Sequence, residues 1–154
     1  MEQLLSKTKE TTERLLSFLG FPEAIADISE GPTGGIEVKI QASEGAGALI
    51  GEQGQGLAAL EYMLRRIVLR DAGEQAPRLT LDVNGYRAER AKIVRQRARD
   101  AADEVRYSKS QYIFEPMSAF ERRLIHLELA ARGDVVTESQ GEGRDRRVVI
   151  RPYP

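Results

Sequence analysis

The stretch Leu49-Ile50-Gly51-Glu52-Gln53-Gly54 organises the first half of the chain. Its two glycines predict a tight backbone turn, because glycine readily adopts positive φ and has no Cβ to hold a ligand away. An amphipathic helix is predicted directly after the turn, from Gln55 to about residue 70, with apolar residues on one face. The free N–H groups and the positive dipole end of this helix would face the turn. Such a turn can hold a phosphate.

Working outward from the turn, apolar periodicity and Gly/Pro breaks predict the other elements of the first half. They are a helix over 4–19, strands over 24–29, 36–40 and 79–83, and a short helical turn over 45–50. The clean alternation of Ile36-Glu37-Val38-Lys39-Ile40 is typical of a half-buried strand. The predicted order is therefore α-β-β-α-α-β.

The second half begins with the longest predicted helix and ends in a predicted hairpin. The elements are a helix over 86–107, a strand over 112–114, a helix over 118–132, and strands over 135–140 and 146–151. Ser118 and Glu121 have capping-box spacing, which predicts where the second of these helices begins. We expect an α+β fold of two small domains, 1–84 and 85–154, the second with helices packed on a small three-stranded sheet.

The composition limits the class of protein. The chain has 154 residues, of which 41% are hydrophobic and 31% charged, as expected for soluble globular material. The absence of Cys excludes disulfides and thiol catalysis and agrees with a reducing cytoplasm. Apolar runs are too short to span a bilayer, and the N-terminus does not resemble a signal peptide. We therefore expect a cytoplasmic protein without membrane insertion.

The net charge of −1 hides a division between the two halves. Residues 1–76 carry seven basic and twelve acidic side chains, whereas residues 77–154 carry sixteen and twelve. This division favours a polyanion-binding surface mainly in the second half, with two ordinarily solvated surfaces as the alternative.

The glycine turn does not match the common nucleotide-binding loops. No Gly-Lys-Ser/Thr follows it, so it is not a P-loop. What remains is Gly51-x-x-Gly54 between two helices, an arrangement that clamps a nucleic-acid backbone in KH domains. A lone GxxG is more often only a turn, but its place within α-β-β-α-α-β favours the functional interpretation.

Arg122 and His126, four residues apart on a predicted helix, lie on one face of it. Phe120, Leu124, Leu127 and Ala131 define the predicted apolar stripe of that helix, and the pair points away from it. Arginine offers forked donors and histidine one or two, so the pair can hold a phosphate. Arg123 either adds charge to this surface or is an ordinary solvated residue.

The long helix carries a basic flank, which we define as Lys92, Arg95, Arg99 and Arg106. This flank extends the predicted nucleic-acid surface. Arg144, Arg146 and Arg147 of the hairpin would extend it further, although charged side chains commonly protect an exposed edge strand.

The sequence contains no recognisable catalytic site. It has no Ser/His/Asp order and no HExxH motif, and one His without Cys leaves few ligands for a transition metal. Glu61, Asp82 and Glu121 are best interpreted as surface or capping groups. We expect neither enzymatic activity nor a cofactor nor a metal.

Several ordered motifs resemble the Jag/KhpB proteins of bacteria. They are Leu-Ile-Gly-x-x-Gly-Gln-x-Leu-x-Ala-Leu-x-Tyr at 49–62, Leu-Asp-Val-x-Gly-Tyr-Arg at 81–87, Glu-Pro-Met-Ser-Ala-Phe-Glu-Arg-Arg-x-Ile-His at 115–126 and Arg-Arg-Val-Val-Ile at 146–150. That family joins a KH domain to an R-3-H domain, which is named for an Arg and a His separated by three residues.

The resemblance implies a cytoplasmic protein that binds single-stranded RNA and acts in post-transcriptional regulation linked to cell elongation and division. It also implies a small KH-only partner, KhpA. By the same resemblance, Gly51, Glu52, Gln53 and Gly54 form the KH loop, and Arg122 with His126 forms the R-3-H pair.

The chain departs from the family pattern in two respects. Many members have basic residues in the loop where this chain has Glu52 and Gln53, so contact with RNA there would depend on backbone N–H groups. Many members also carry a further N-terminal domain, whereas this chain is expected to open directly into the KH region. Two hypotheses follow: a binder of single-stranded RNA, with single-stranded DNA as the near alternative, or a scaffold whose acidic KH half docks a protein.

Overall fold

The computed structural model describes residues 1–32 and 34–154, except for the side chain of Glu74. The chain forms two compact units, Met1–Arg87 and Ala88–Pro154, and each is described by itself. None of the helices in the described part of the chain combines the length and the apolar character needed to cross a bilayer.

The first unit has the predicted order α-β-β-α-α-β. Its main elements are α1 (Glu2–Phe18), β1 (Ile25–Glu30), β2 (Ile36–Gln41), α2 (Ala46–Ile50), α3 (Gln55–Val68) and β3 (Leu79–Val83). Short 3-10 turns, Glu52–Gly54 and Gly73–Gln75, precede and follow α3.

The three strands form one sheet in the order β1-β2-β3. β1 and β2 are antiparallel, whereas β2 and β3 are parallel, with Val38 opposite Leu81. The alternation predicted for β2 is confirmed, since Ile36, Val38 and Ile40 are buried while Lys39 is exposed.

The helices of the first unit cover this sheet with aliphatic side chains. α3 buries Leu57, Leu60, Leu64 and Val68. Ile67, which the sequence placed on the same face, lies at its edge and is 45% exposed. Thr8 and Thr12 of α1 are buried, and their hydroxyls are satisfied because each donates to the carbonyl oxygen four residues earlier, at 2.7 Å.

The second unit also has the predicted order, α-β-α-β-β. Its elements are α4 (Tyr86–Ser108), which begins within the first unit, β4 (Tyr112–Ile113), α5 (Ala119–Leu129), β5 (Val135–Gln140) and β6 (Arg147–Pro152). The sheet is antiparallel in the order β4-β6-β5, so β5 is an edge strand.

Small side chains of α4 allow close packing in the second core. Val94, Ala98, Ala101, Ala102 and Val105 are buried there together with α5 and β6. Each unit therefore has its own core, formed mainly by aliphatic side chains. The prediction of an α+β fold is confirmed.

The predicted apolar stripe of α5 is wrong in most of its members. Phe120 and Leu127 are 50% and 64% exposed, whereas the buried residues are Glu121, Leu124, Ile125 and Leu129. α5 turns a different face to the core from the one predicted. Glu121, expected at the surface, is only 2% exposed and pairs with Arg90 of α4. Ile125 and Leu129, four and eight residues after Glu121, lie on the same face of the helix and also face the core.

Candidate nucleic-acid interface

The glycine turn between α2 and α3 has an unusual backbone. Gly51 (φ 71°, ψ 177°), Gln53 (φ 52°) and Gly54 (φ 79°) all have positive φ. The side chains of Glu52 and Gln53 are exposed, and the N-cap of α3 is Gly54, which has no side chain to accept from the first N–H groups of the helix. The turn therefore presents backbone at the positive end of the α3 dipole.

A third glycine, Gly56, allows the two helices to approach. A Cβ on Gly51 would lie 2.6 Å from the nitrogen of Gly56, and a Cβ on Gly56 would lie 2.6 Å from the carbonyl oxygen of Leu49. Gly56 was not among the residues predicted from the sequence. Its signal was the spacing Gly51-Gly54-Gly56 at the start of a helix, a position where glycine is otherwise unfavourable.

In the same unit, one aromatic side chain packs against the turn, and two acidic side chains fix the elements around it. A Cβ on Gly54 would lie 3.0 Å from Cε1 of Tyr86, so the Tyr86 ring packs against the turn. Asp82 caps the start of α4 by accepting from the backbone N–H of Arg87 at 3.2 Å. Glu61 accepts from Nη2 of Arg87 at 2.7 Å and from the N–H of Leu81 at 2.9 Å, which ties α3 to β3.

In the second unit, the N-terminus of α5 positions Arg122. Ser118 is the N-cap, and its hydroxyl accepts from the N–H of Glu121 at 3.2 Å, as the capping-box spacing predicted. Nη1 of Arg122 donates to the carbonyl oxygen of Met117 at 2.8 Å. The N–H of Met117 in turn donates to the carbonyl oxygen of Arg146 at 3.1 Å, so Met117, which holds the half-buried Arg122, is bonded to the residue before β6.

His126 is bound to the edge strand β5 through both ring nitrogens. Nδ1 lies 2.7 Å from Oγ1 of Thr137, and Nε2 lies 2.8 Å from Oγ of Ser139. Burial lowers the pKa of His126, and the nearby charge of Arg122 lowers it further. The imidazole is therefore neutral at pH 7, with one nitrogen donating to a hydroxyl and the other accepting from one.

The basic flank of α4 makes ion pairs and does not join the Arg122–His126 pair. Lys92 contacts Glu89 at 2.7 Å, and Glu128 of α5 contacts Arg99 at 3.0 Å and Arg95 at 3.8 Å. Glu128 follows His126 by two residues, which places it about 200° around α5. The structure therefore separates the predicted site residues of this unit into two groups on different sides of α5.

The other arginines predicted for this surface differ in their solvent exposure and in their hydrogen-bond partners. Arg123 is exposed and makes no ion pair with a side chain that the structure describes. Arg144 and Arg146 of the β5–β6 connection are also exposed, whereas Arg147 is half-buried and its Nε donates to the carbonyl oxygen of Asp145 at 3.1 Å. The backbone of Arg146 is joined to that of Met117 by the hydrogen bond described above.

Three residues that shape this surface were not predicted from the sequence. Thr137 and Ser139 alternate along β5 and so share the face that meets His126. Arg132 donates to Asp134 and to Asp103 of α4, and its hydrogen bond with Asp134 is the largest of the causes that lower the pKa of Asp134 to about 2. Within the described residues, no group of acidic or His side chains is arranged to hold a metal ion.

Comparison with known proteins agrees with this architecture. Residues 92–152 match the family model of the R-3-H domain. The chain is 36% identical over 104 residues to a protein of Clostridium symbiosum and 38% identical over 109 residues to one of Bacillus subtilis, each named RNA-binding protein KhpB. These matches cover 68% and 70% of this chain, and 46% and 52% of the respective relatives. A KhpB of Lactiplantibacillus plantarum is 38% identical over 104 residues, which is 68% of this chain and 32% of that protein.

The fold and these matches define a protein with an R-3-H domain that follows an α-β-β-α-α-β unit. The chain belongs to the Jag/KhpB family. It spans about half the length, or less, of the curated relatives it matches.

Proposed function

We propose that this protein binds single-stranded RNA and has no catalytic activity. The observation that carries the proposal is the position of Arg122, whose guanidinium uses one N–H on the carbonyl oxygen of Met117. A guanidinium has five N–H donors, so four remain for the oxygens of a phosphate. The relatives' name, RNA-binding protein KhpB, supports RNA as the ligand.

In this proposal the second module, residues 85–154, makes the main contact. Arg122 contacts phosphate directly, and Arg123 adds exposed positive charge beside it. His126 acts with Thr137 and Ser139, because its ring fixes two hydroxyls that can also bond to a ribose or a phosphate. Lys92, Arg95 and Arg99 contribute weaker, longer-range attraction, since Glu89 and Glu128 already neutralise part of their charge.

The first module, residues 1–84, would guide a second stretch of the same strand. The backbone of Gly51, Glu52, Gln53 and Gly54 lies next to the uncapped end of α3, where N–H groups favour a phosphate. The exposed carboxylate of Glu52 opposes this attraction, so we expect the loop to bind more weakly than the second module.

Family membership suggests the cellular role. We infer action in the bacterial cytoplasm, in post-transcriptional regulation linked to cell elongation and division. A second candidate function is a scaffold for a KhpA-like KH protein, and the acidic Glu52 in the loop is the observation that favours it. In that case nucleic-acid binding would be secondary.

The test is fluorescence anisotropy with matched single-stranded RNA, single-stranded DNA and duplex RNA at several salt concentrations. We expect salt-dependent binding that favours single-stranded RNA and is at least tenfold weaker in Arg122→Ala/His126→Ala. The control is Arg151→Ala, which removes an exposed charge of the same unit that pairs with Glu138.

Three outcomes separate the candidates. Loss of affinity in the double variant, with the control unchanged, supports RNA binding through α5. Unchanged binding in the double variant contradicts the assignment to α5 and leaves the glycine turn. Failure of the unaltered protein to bind any strand at low salt contradicts the proposal and favours the scaffold.

A further inference from the structure

The first unit contains a basic cavity at the end of α3, far from the glycine turn. Arg65, Arg66 and Arg70 line it together with Leu69, Gly73 and Ala76, and its volume is about 530 Å³. The glycine turn precedes the first residue of α3, and the cavity lies at its last turn. At 1.5 Å per residue, about 20 Å of helix separates the two.

The concentration of charge here contrasts with the rest of the unit. Residues 1–76 have a net charge of −5 and only seven basic side chains, three of which line this cavity. A fourth, Lys7, reaches the same end of α3 through a hydrogen bond from Nζ to the carbonyl oxygen of Val68. The sequence nearby also has the acidic Asp71 and Glu74, so the local excess of positive charge is modest.

Capping of α3 does not account for the three arginines. Basic residues often lie in the last turn of a helix because they interact with its dipole and its free carbonyls. Here the carbonyl of Arg65 accepts from the N–H of Leu69, that of Val68 from Lys7, and that of Leu69 from the N–H of Ala72. Three carbonyls at this end thus have other donors, and within the described residues none of the three guanidinium groups donates to a carbonyl.

The guanidinium groups have no partner among the side chains that the structure describes, which do not include that of Glu74. Arg65, Arg66 and Arg70 are exposed, and among the side chains that the structure describes none forms an ion pair or a hydrogen bond with them. Exposed arginine pairs elsewhere in the chain, such as Arg87 with Glu61 and Arg99 with Glu128, show that such partners are common in this protein.

We propose that this cavity is a phosphate-binding site that engages the backbone of the bound single-stranded RNA. All three cations are arginines, whose planar forks match phosphate oxygens better than lysine does. The cavity is open and has no aromatic side chain in its described lining, so it suits a phosphate chain and offers no surface for stacking a base. The choice of RNA as ligand rests on the proposed function, whereas the phosphate chemistry does not.

The experiment compares Arg65→Gln/Arg66→Gln/Arg70→Gln with a matched control, Lys9→Gln/Arg14→Gln/Lys39→Gln. Both variants remove three exposed positive charges from the first unit. Affinity for a single-stranded RNA of about 20 nucleotides is measured by anisotropy as a function of salt. Circular dichroism verifies folding. Arg70→Glu serves as a second variant. Because Arg70 lies beyond the end of α3, this substitution changes no residue within the helix.

We expect the arginine variant to bind RNA at least tenfold more weakly than the control. Its slope of log K against log salt should fall by about 0.7 for each phosphate that the variant no longer binds. If the unaltered protein binds RNA and the arginine variant and the control behave alike, the cavity proposal is overturned while the proposed function stands.

Inorganic polyphosphate is the second probe, since it carries the same oxyanions without ribose or base. If no RNA binds to the unaltered protein, the proposed function fails. Polyphosphate then tests by itself whether the cavity binds phosphate. Weaker polyphosphate binding by the arginine variant than by the control supports the site. Equal binding, or none to the unaltered protein, overturns it.

Discussion

A Cβ atom on Gly56 would lie 2.6 Å from the carbonyl oxygen of Leu49. The first turn of α3 therefore touches the end of α2 through backbone alone, and the glycine turn is closed by this contact as well as by its own dihedral angles. Helix propensity and packing make opposite predictions for Gly56→Ala. Alanine is favoured over glycine in a helix by about 0.8–1 kcal/mol, whereas the overlap must be relieved by moving backbone.

We expect packing to decide, so that Gly56→Ala lowers the free energy of unfolding by about 1–3 kcal/mol. Chemical denaturation followed by circular dichroism measures this change. The matched control is Gly47→Ala in α2, where a Cβ would meet nothing within 4 Å and propensity alone should stabilise by about 0.5–1 kcal/mol. Equal stabilisation of both variants would show that the helices can separate at no cost in stability.

The contrast between Gly56 and its neighbours shows what the sequence could predict. Gly51 and Gly54 were recognised because a turn between two helices needs positive φ, which is a local property. The elements themselves were predictable for the same reason, as in the alternation of Ile36-Glu37-Val38. The spacing Gly51-Gly54-Gly56 marks Gly56 as an unfavourable residue at the start of a helix, but it does not identify Leu49, across the turn, as the contact that requires glycine.

Long-range partners explain the other differences. Glu121 was interpreted as a surface or capping group, and its burial depends on Arg90, thirty-one residues away in the sequence. His126 was expected to point away from the core, and it is held by Thr137 and Ser139 of a strand that follows its helix. Charged and polar side chains are buried only when a partner satisfies them, and the partner is fixed by the tertiary fold.

His126 should make the free energy of unfolding decrease as the pH falls below about 6.5. Its pKa in the folded protein is below the usual 6.5, so the unfolded chain takes up the proton first as the pH falls. Stability from this group is complete above pH 6.5 and decreases below it. We expect urea denaturation of the protein to show a fall in unfolding free energy from about pH 7.5 to about pH 5.5 that is absent in His126→Asn.

No other histidine is present to confuse this measurement. The pKa of Asp134, lowered from 3.8 to about 2, affects stability only at lower pH, where protonation of the unfolded carboxyl begins. Parallel pH profiles for the protein and His126→Asn would contradict the assignment of a neutral, bound imidazole.

The Arg90–Glu121 pair should contribute to stability as a partly buried ion pair, in which Glu121 is buried and Arg90 is partly exposed. The Glu121 carboxylate is buried, its Oε2 has no partner within the described residues, and Nε of Arg90 lies 2.5 Å from Oε1. Removal of Arg90 leaves a buried carboxylate without its counter-charge. We expect Arg90→Met to destabilise by about 2–3 kcal/mol, below the usual range for fully buried pairs, because Arg90 is partly exposed.

A second substitution tests the cause of that destabilisation. Arg90→Met/Glu121→Leu removes both charges, and we expect it to recover most of the stability missing in the single variant, as measured by chemical denaturation. If the double variant is less stable than Arg90→Met, the pair contributes through packing and the electrostatic explanation is wrong.

Glu52 provides the direct test of whether the glycine turn faces RNA. Its carboxylate is exposed in the turn, next to the N-terminal end of α3, where it repels a phosphate. We expect Glu52→Lys to tighten binding of single-stranded RNA several-fold at low salt and to steepen the salt dependence by about 0.7 in the log–log slope. The control is Glu10→Lys on α1, which changes the net charge of the unit equally at an exposed position away from the turn. Equal affinities for the two variants would mean that only the overall charge matters, and the acidic loop would then be better explained as a surface for a protein partner.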